Sequence, residues 1–271
     1  MIHETALTYD ELYTIVTNKE ARCKKGSIVA IVKGTRAESV IEVLSKISKR
    51  LRNQVVEITM DMAANMELIA RRSFPKASIV TDRFHVQKLA CDALQDMRID
   101  LRWQAIEQEN QEIEMTKECG KTYIANVLEN GDTPRQLLAR SRYLLFKTEN
   151  KWTPSQRLRA EVLFKYYPQL QTAYRLTMEL KSIYHHTQDK GVAFTKLAHW
   201  HRKIDESDFD YFNTVRKSLS AHYQTILNFF DRRSTNASAE AFNAKVKAFR
   251  ANLRGVNNIP YFLFRLTRIY A

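Results

Sequence analysis

Hydrophobic and polar positions near the start of the chain predict a β-hairpin followed by a helix. Two β-rich runs, LYTIVTN (12–18) and SIVAIVK (27–33), flank a polar segment that contains a glycine, which is typical of a hairpin. The next apolar positions recur at steps of four, three and four residues, and they predict one helix face: Val40, Leu44, Ile47 and Leu51.

Two further apolar runs each end on an aspartate. VVEITM precedes Asp61 and ASIVT precedes Asp82, and the spacing between them predicts a helix over 63–72. An edge strand at 1–7 completes an order of three strands, a helix, a strand, a helix and a strand. This order is the signature of a ribonuclease H-like sheet, in which three antiparallel strands are followed by parallel strands with crossover helices.

The spacing of apolar residues is helical almost throughout 86–230. Threonine followed by proline marks two helix starts there, at 133–134 and 153–154. We therefore predict an α/β chain with a ribonuclease H-like mixed sheet and a large all-α insertion. Its three parts are the first part of the ribonuclease H-like domain, the helical insertion and a helical part that completes the domain: 1–87, 88–230 and 231–271.

The net charge of the chain indicates the kind of partner that it binds. The 271 residues carry a formal net charge of +13. A polyanionic partner is expected, because basic side chains release counterions from phosphates on binding. In 231–271, eight Lys and Arg oppose two acids, which favours DNA. The residues of that segment expected to bind DNA are Arg232, Arg233, Lys245, Lys247, Arg250 and Arg254.

Cysteine use and hydropathy exclude several classes of protein. Cys23, Cys91 and Cys119 form no CxxC pair, so a disulfide framework and a cysteine zinc site are not expected. No apolar run approaches the roughly 18 residues of a membrane span. The N-terminal residues include acids where a signal peptide has a basic region, so we expect a cytoplasmic protein.

Asp61 and Asp82 are candidates for metal chemistry because both follow apolar strands. Folds of the α/β class place such chemistry at the carboxyl ends of parallel strands. A helix N-cap is the alternative for Asp61, since a side chain there satisfies free backbone N–H groups. Asp82 precedes His85 by three residues, so the two are neighbours on one helical turn. They either share a hydrogen bond or approach a metal together.

A helix predicted near the end of the chain carries a third carboxylate, Glu240. Its apolar face contains Phe242, Val246 and Phe249. Another face joins amides, the carboxylate and cations at steps of four, three, four and three: Asn236, Glu240, Asn243, Lys247 and Arg250. This face suits a cation held beside a phosphate backbone, and an ordinary amphipathic surface helix is the alternative.

Asp61 and Glu240 together fit a two-metal plan for phosphoryl transfer. Mg²⁺ takes hard oxygen ligands, and carboxylates on rigid elements hold two ions roughly 4 Å apart in such sites. We therefore expect Mg²⁺ or Mn²⁺ as the cofactor.

Four segments resemble the DDE domain of bacterial insertion-sequence transposases of the ISL-three group. They are, in order, LYTIVTNKEARCKKGSIVAIVKGT, VVEITMDM, FPKASIVTDRFHVQKL and STNASAEAFNAKVKAFR. The resemblance covers nearly the whole chain. It implies a ribonuclease H-like fold, Mg²⁺-dependent DNA cleavage and strand transfer, and a homo-oligomer on transposon ends. It also implies a bacterial protein that associates with the nucleoid.

The resemblance assigns roles to individual residues. Asp61 matches the second catalytic acid and Glu240 the last, and both are implied as metal ligands. Asp82 and His85 match a downstream element that supports the active site or the flipped DNA strand. We favour Asp61 over Asp82 as the catalytic residue, because it ends the strand after the first crossover helix. The resemblance also implies that Asn236 and Asn243 support the active site.

The first acid of the family is replaced. Members carry an aspartate in an apolar-Asp-Glu-Thr pattern on the first strand, whereas this chain has His3 there. A neutral imidazole is a poor ligand for Mg²⁺, and a strand points the adjacent Glu4 to its opposite face. We therefore expect little or no strand-transfer activity from this chain alone. The alternative function is a catalytically inactive DNA-binding remnant of a transposase.

Transposases of this group also usually carry DNA-binding modules before the catalytic domain, whereas this chain begins at the first catalytic strand. We therefore expect either a truncated gene or a separate N-terminal DNA-binding polypeptide that recognises the transposon end.

Overall fold

The computed structural model describes residues 1–6, 12–207, 209–253 and 258–271. Two compact units are present. The first is α/β and contains 1–86, 188–190 and 219–271, and the second is helical and contains 87–187 and 191–218. The predicted α/β class is confirmed. The three-part division of the chain at 87 and 230 stays a prediction.

The first unit contains an antiparallel sheet of three strands in the order β1–β2–β3. The strands span Ile2–Ala6, Leu12–Thr17 and Ile28–Lys33. Strands β2 and β3 pair antiparallel, with Ile15 opposite Ile31, so the predicted hairpin is confirmed. The predicted edge strand is also present as β1, up to Ala6, and its last predicted residue, Leu7, lies outside the described residues.

Two parallel strands follow, β4 (Glu57–Met60) and β5 (Ser78–Thr81). Three helices precede or join them: α1 (Ala37–Ser45), α2 (Lys49–Arg52) and α3 (Ala64–Ser73). Strand β1 lies beside β4, although no ladder of hydrogen bonds joins the two sheets among the described residues. The single mixed sheet expected from the sequence is therefore present as two paired groups of strands.

One predicted helix is wrong in its extent. The apolar face from Val40 to Leu51 is divided between α1 and α2, and Leu51 is exposed. The break follows from Ser48, whose side chain accepts a hydrogen bond from the backbone N–H of Leu51 and begins a new helix. Val40 and Leu44 are fully buried, as the pattern requires.

The end of the chain completes the first unit with four helices. They are α10 (Tyr223–Leu227), α11 (Phe229–Arg232), α12 (Ala237–Asn252) and α13 (Ile259–Tyr270). Helices α12 and α13 pack on the β2–β3 hairpin in one apolar cluster, formed by Tyr13, Ile15, Cys23, Ile28, Phe242, Val246, Phe262 and Leu266. A second cluster lies between the sheets and helices α1 and α3.

The second unit is helical in its described residues. It begins within the long helix α4 (Arg83–Glu118) and ends within α9 (Asn213–Ala221), and the helices between them are α5 (Pro134–Arg140), α6 (Pro154–Tyr166), α7 (Pro168–His186) and α8 (Lys190–Ser207). Helices α5 and α6 each begin with a threonine N-cap, a proline and a reciprocal glutamine, so both predicted helix starts are confirmed. The core contains Trp200, whose indole N–H donates to the Leu176 carbonyl at 2.8 Å.

Two further expectations concern cysteines and membranes. Cys23, Cys91 and Cys119 are free thiols. Within the described part of the chain, no helix has the length and apolarity that crossing a membrane requires.

Candidate active site

The parallel pairing of β4 and β5 brings Asp61 and Asp82 to one edge. Met60 is in register with Thr81, so the residues that follow them leave the sheet side by side. The Asp82 N–H donates to the Met60 carbonyl at 2.9 Å and continues the ladder by one bond. Asp82 is buried, and Asp61 is partly exposed.

His85 lies between the two carboxylates. It belongs to the first turn of α4, where its Nδ1 is 3.2 Å from Asp61 Oδ1 and 3.5 Å from Asp82 Oδ2. The spacing of three residues in the sequence predicts a contact of His85 with Asp82 only. The structure adds Asp61, so the two strand ends and the helix start form one cluster of three polar side chains.

Asn236 joins this cluster from a distant part of the chain. It is the buried N-cap residue of α12, and its Nδ2 donates to Asp61 Oδ1 at 3.0 Å. Asp61 does not cap the helix that follows it, because the N-cap residue of α3 is Ala63 and that cap has no side-chain hydrogen bond. The carboxylate of Asp61 is thereby directed toward α12 and His85.

Burial sets the electrostatics of the cluster. It raises the pKa of the Asp61 carboxyl above its ordinary value, and the nearby His85 and the hydrogen bond from Asn236 offset part of that effect. Two buried oxygen atoms of the cluster, Asp82 Oδ1 and Asn236 Oδ1, have no hydrogen-bond partner among the described residues. Unsatisfied buried oxygens beside a carboxylate favour a cation or an ordered water at this position.

Glu240 lies one helical turn beyond Asn236. Its backbone N–H donates to the Asn236 carbonyl at 3.0 Å, and its side chain is exposed. Asn243 follows on the same face and accepts a hydrogen bond from Thr5 Oγ1 at 2.9 Å. This bond ties α12 to β1, the strand that carries His3.

His3 occupies a buried position on β1. It is 5% exposed, its ring meets that of Phe242 edge-on at 6.5 Å, and the Asn243 side chain lies beside it. Burial lowers the pKa of His3 to about 4, so the ring is neutral at pH 7. Glu4 is exposed and lies within 3.5 Å of Asn65 Nδ2, on the opposite side of the strand, as expected.

The basic residues expected to bind DNA differ in their surroundings. Lys247 and Arg232 are exposed, whereas Arg250 is partly buried. Lys245 donates to the Cys23 carbonyl at 2.9 Å, and the Arg233 guanidinium lies 5.4 Å from the centre of the Phe229 ring, so both make contacts within the protein. Arg254 lies outside the described residues.

One neighbour of the cluster was missed from the sequence. Phe84 is 56% exposed, and its ring meets that of His85 edge-on at 6.0 Å. An aromatic residue between an aspartate and a histidine at a helix start is the signal that points to it. The described residues contain no group of three or more His, Cys, Asp or Glu side chains arranged to hold a metal ion.

Comparison with known proteins identifies the family. A family model described as a transposase, of the DDE type and the ISL-three group, matches residues 1–266. The chain is also 23% identical over 214 residues to a transposase for insertion sequence element IS1001 from Bordetella parapertussis. That match covers 79% of this chain and 47% of the relative, so the chain spans about half of the relative's length. No solved structure matches the chain significantly. Because the family model covers nearly every residue, the chain belongs to the ISL-three group of DDE transposases.

Proposed function

We propose that this protein provides a ribonuclease H-like catalytic domain for metal-dependent DNA cleavage and strand transfer at insertion-sequence ends. Membership of a transposase family and the net charge of +13 support DNA as the substrate. The order of three antiparallel strands followed by two parallel strands with helices between them supports the fold.

One observation carries the proposal: the hydrogen bond of 3.0 Å from Asn236 to Asp61. It joins residues 175 positions apart and fixes the start of α12 against the end of β4. Glu240 lies one turn along the same helix and on the same face as Asn236. The second and last acids of the family pattern are therefore supplied by two elements that contact each other.

The side chains present fit Mg²⁺ or Mn²⁺. Both ions prefer oxygen ligands, and Asp61 and Glu240 would hold the cation, with Asp82 Oδ1 and Asn236 Oδ1 as further buried oxygens nearby. A cation also offsets the cost of keeping the Asp61 carboxylate ionised in a partly buried place. When bound, such an ion stabilises the charge that develops on phosphate oxygens and activates the attacking hydroxyl.

The remaining residues position these groups. A proton on His85 Nδ1 can be shared with Asp61 or Asp82, which holds both carboxylates at the strand ends. Lys247 and Arg232 are exposed cations that neutralise phosphates without reading sequence. We infer that a homo-oligomer, with end recognition from a separate polypeptide or segment, completes the assembly on DNA.

A second function, a DNA-binding remnant without catalysis, is favoured by His3. A buried and neutral imidazole supplies no negative charge where the family has its first acid. Titration of the chain with Mg²⁺ in a calorimeter separates the two functions. Binding that is lost in Asp61→Asn supports the catalytic domain, and absence of binding supports the remnant.

Restoration of the acid tests the catalytic proposal directly. The assay measures nicking of a supercoiled plasmid by the full chain with Mg²⁺ or Mn²⁺. We expect His3→Asp to raise metal-dependent nicking about tenfold or more, since loss of a single preorganised group that stabilises transition-state charge costs about 10²–10³-fold in other enzymes. His3→Asn introduces a side chain with the shape of aspartate but without its charge, so its nicking rate should stay at the level of the wild type.

The double variant His3→Asp/Asp61→Asn should return to background. Nicking by His3→Asp that survives loss of Asp61 would contradict the assigned site. Full activity in the wild type would contradict the role given to His3. Metal-induced stabilisation in a thermal melt shows whether His3→Asp is folded, so an inactive but metal-stabilised variant also counts against the proposal.

A further inference from the structure

Helix α13 has a buried face and an exposed face of different chemistry. Phe262 and Leu266 are buried in the apolar cluster on the β2–β3 hairpin. On the other side, Tyr261 is 53% exposed and Phe264 is 51% exposed. Two exposed arginines of the helix follow these rings at spacings of four residues and therefore lie on the same side. The four side chains form one surface, which we name the α13 stripe: Tyr261, Phe264, Arg265 and Arg268.

An arginine lies over each exposed ring of the α13 stripe. The Arg265 guanidinium lies 5.9 Å from the centre of the Tyr261 ring and donates to the Tyr261 hydroxyl at 3.2 Å. Arg268 lies 5.4 Å from the centre of the Phe264 ring. Stacking on a ring restrains a guanidinium, so less side-chain entropy is lost when it binds an anion.

The segment of the chain that carries the α13 stripe contains basic residues and no acid. Residues 241–271 contain six Lys and Arg and no Asp or Glu. Among the described residues, neither Arg265 nor Arg268 has a carboxylate partner within ion-pair distance. The guanidinium protons that face away from the rings are therefore available to an external anion.

The pattern identifies the kind of partner. Arginines spaced along a helix and backed by rings match a chain of phosphates, which offers regularly spaced oxygens. A second copy of this chain is disfavoured, because a face with two arginines and no acid repels an identical face. We propose that the α13 stripe binds the phosphate backbone of DNA, in addition to the Asp61–Glu240 site. This inference rests on the proposal that the protein acts on DNA.

The test measures the salt dependence of DNA binding. Fluorescence anisotropy of a labelled 30-bp duplex of arbitrary sequence is recorded with the full chain over about 50–300 mM NaCl, since the slope of log K against log salt reports phosphate contacts at about 0.9 each. We expect the double variant Arg265→Gln/Arg268→Gln to lower that slope by about 2 and to weaken binding about tenfold or more at 0.1 M salt.

A control matched in net charge is Arg71→Gln/Arg202→Gln. These exposed arginines pair with Glu67 and Glu206 on their own helices, so their removal should leave the slope unchanged. An equal loss in both double variants would overturn the inference, because it would reflect net charge and not a surface. Circular dichroism melting of each variant checks that the fold is kept.

The outcomes also separate this inference from the proposed function. Normal DNA binding by the wild type, with an unchanged slope in Arg265→Gln/Arg268→Gln, overturns the α13 stripe and leaves the proposed function intact. Failure of the wild type to bind the duplex at 50 mM salt overturns both. Loss of a dimer in sedimentation, with an unchanged DNA slope, assigns the stripe to contact between copies and also overturns the inference.

Discussion

The pH dependence of stability tests the account of His3. Burial lowers the pKa of His3 from 6.5 to about 4 in the folded protein. Between these values the unfolded chain binds a proton that the folded protein does not, so stability falls as the pH falls through this window. Each pKa unit is about 1.36 kcal/mol, so the full effect is about 3 kcal/mol, present above pH 6.5 and lost near pH 4.

The variant His3→Asn removes this titration and retains a small polar side chain. Urea unfolding of both proteins at pH 7.5 and pH 4.5 gives the difference in the free energy of unfolding at each pH. Groups that do not interact with His3 cancel in the comparison of the two proteins, whereas the buried N-terminal amine of Met1, which also lowers the pKa of His3, contributes to the difference. We expect the wild type to lose about 2–3 kcal/mol more than His3→Asn between the two pH values.

The control is His199→Gln, which alters an exposed histidine and should follow the wild-type values. Parallel loss of stability in the wild type and His3→Asn, within about 0.5 kcal/mol, would refute the reasoning. It would mean that the pKa of His3 is the same in the folded and the unfolded protein. A buried, neutral imidazole on β1 would then be excluded, and so would the explanation given for the low strand-transfer activity that we expect.

Two contacts of the first unit give further predictions. Thr81 and Thr225 share a buried hydrogen bond of 2.7 Å, so Thr81→Val should lower the free energy of unfolding by about 1 kcal/mol in urea. A Thr81→Val/Thr225→Val variant should lose less than the sum of the two single variants, and additive losses would contradict the bond. Asn236→Ala removes the donor to Asp61 and should cost about 1–3 kcal/mol, with weaker Mn²⁺ binding in a calorimeter. Unchanged Mn²⁺ affinity would show that Asn236 does not contribute to the proposed metal site.

The parts of the fold that depend on neighbours in sequence could be predicted. Two β-rich runs around a polar segment with a glycine predicted the β2–β3 hairpin, and the threonine–proline pairs predicted the starts of α5 and α6. Both signals are local, because a side chain caps or pairs within a few residues. The prediction of one helix that continues to Leu51 was wrong, although it also rested on a local pattern. A continued apolar spacing does not reveal that Ser48 caps a second helix.

The candidate site could be predicted in its residue types but not in its contacts. Asp61 and Asp82 were recognised because each ends an apolar run. The bond from Asn236 to Asp61 crosses 175 positions and depends on how α12 packs, which no local pattern encodes. Burial of His3 was not predicted either, since it depends on the ring of Phe242 from the far end of the chain.

The packing around His3 relates the position of the family's first acid to the helix that carries the α13 stripe. Thr5, two positions after His3, donates a hydrogen bond to Asn243 and ties β1 to α12. Phe242 meets the His3 ring on one side and the Tyr270 ring of α13, at 5.3 Å, on another. A neutral ring at position 3 therefore adds to the core that supports α13, whereas a carboxylate there would need a cation to be tolerated. In the proposed function, histidine at position 3 thus supplies no ligand but keeps the packing of the helix that carries the α13 stripe, so the wild type should bind DNA although position 3 carries no charge.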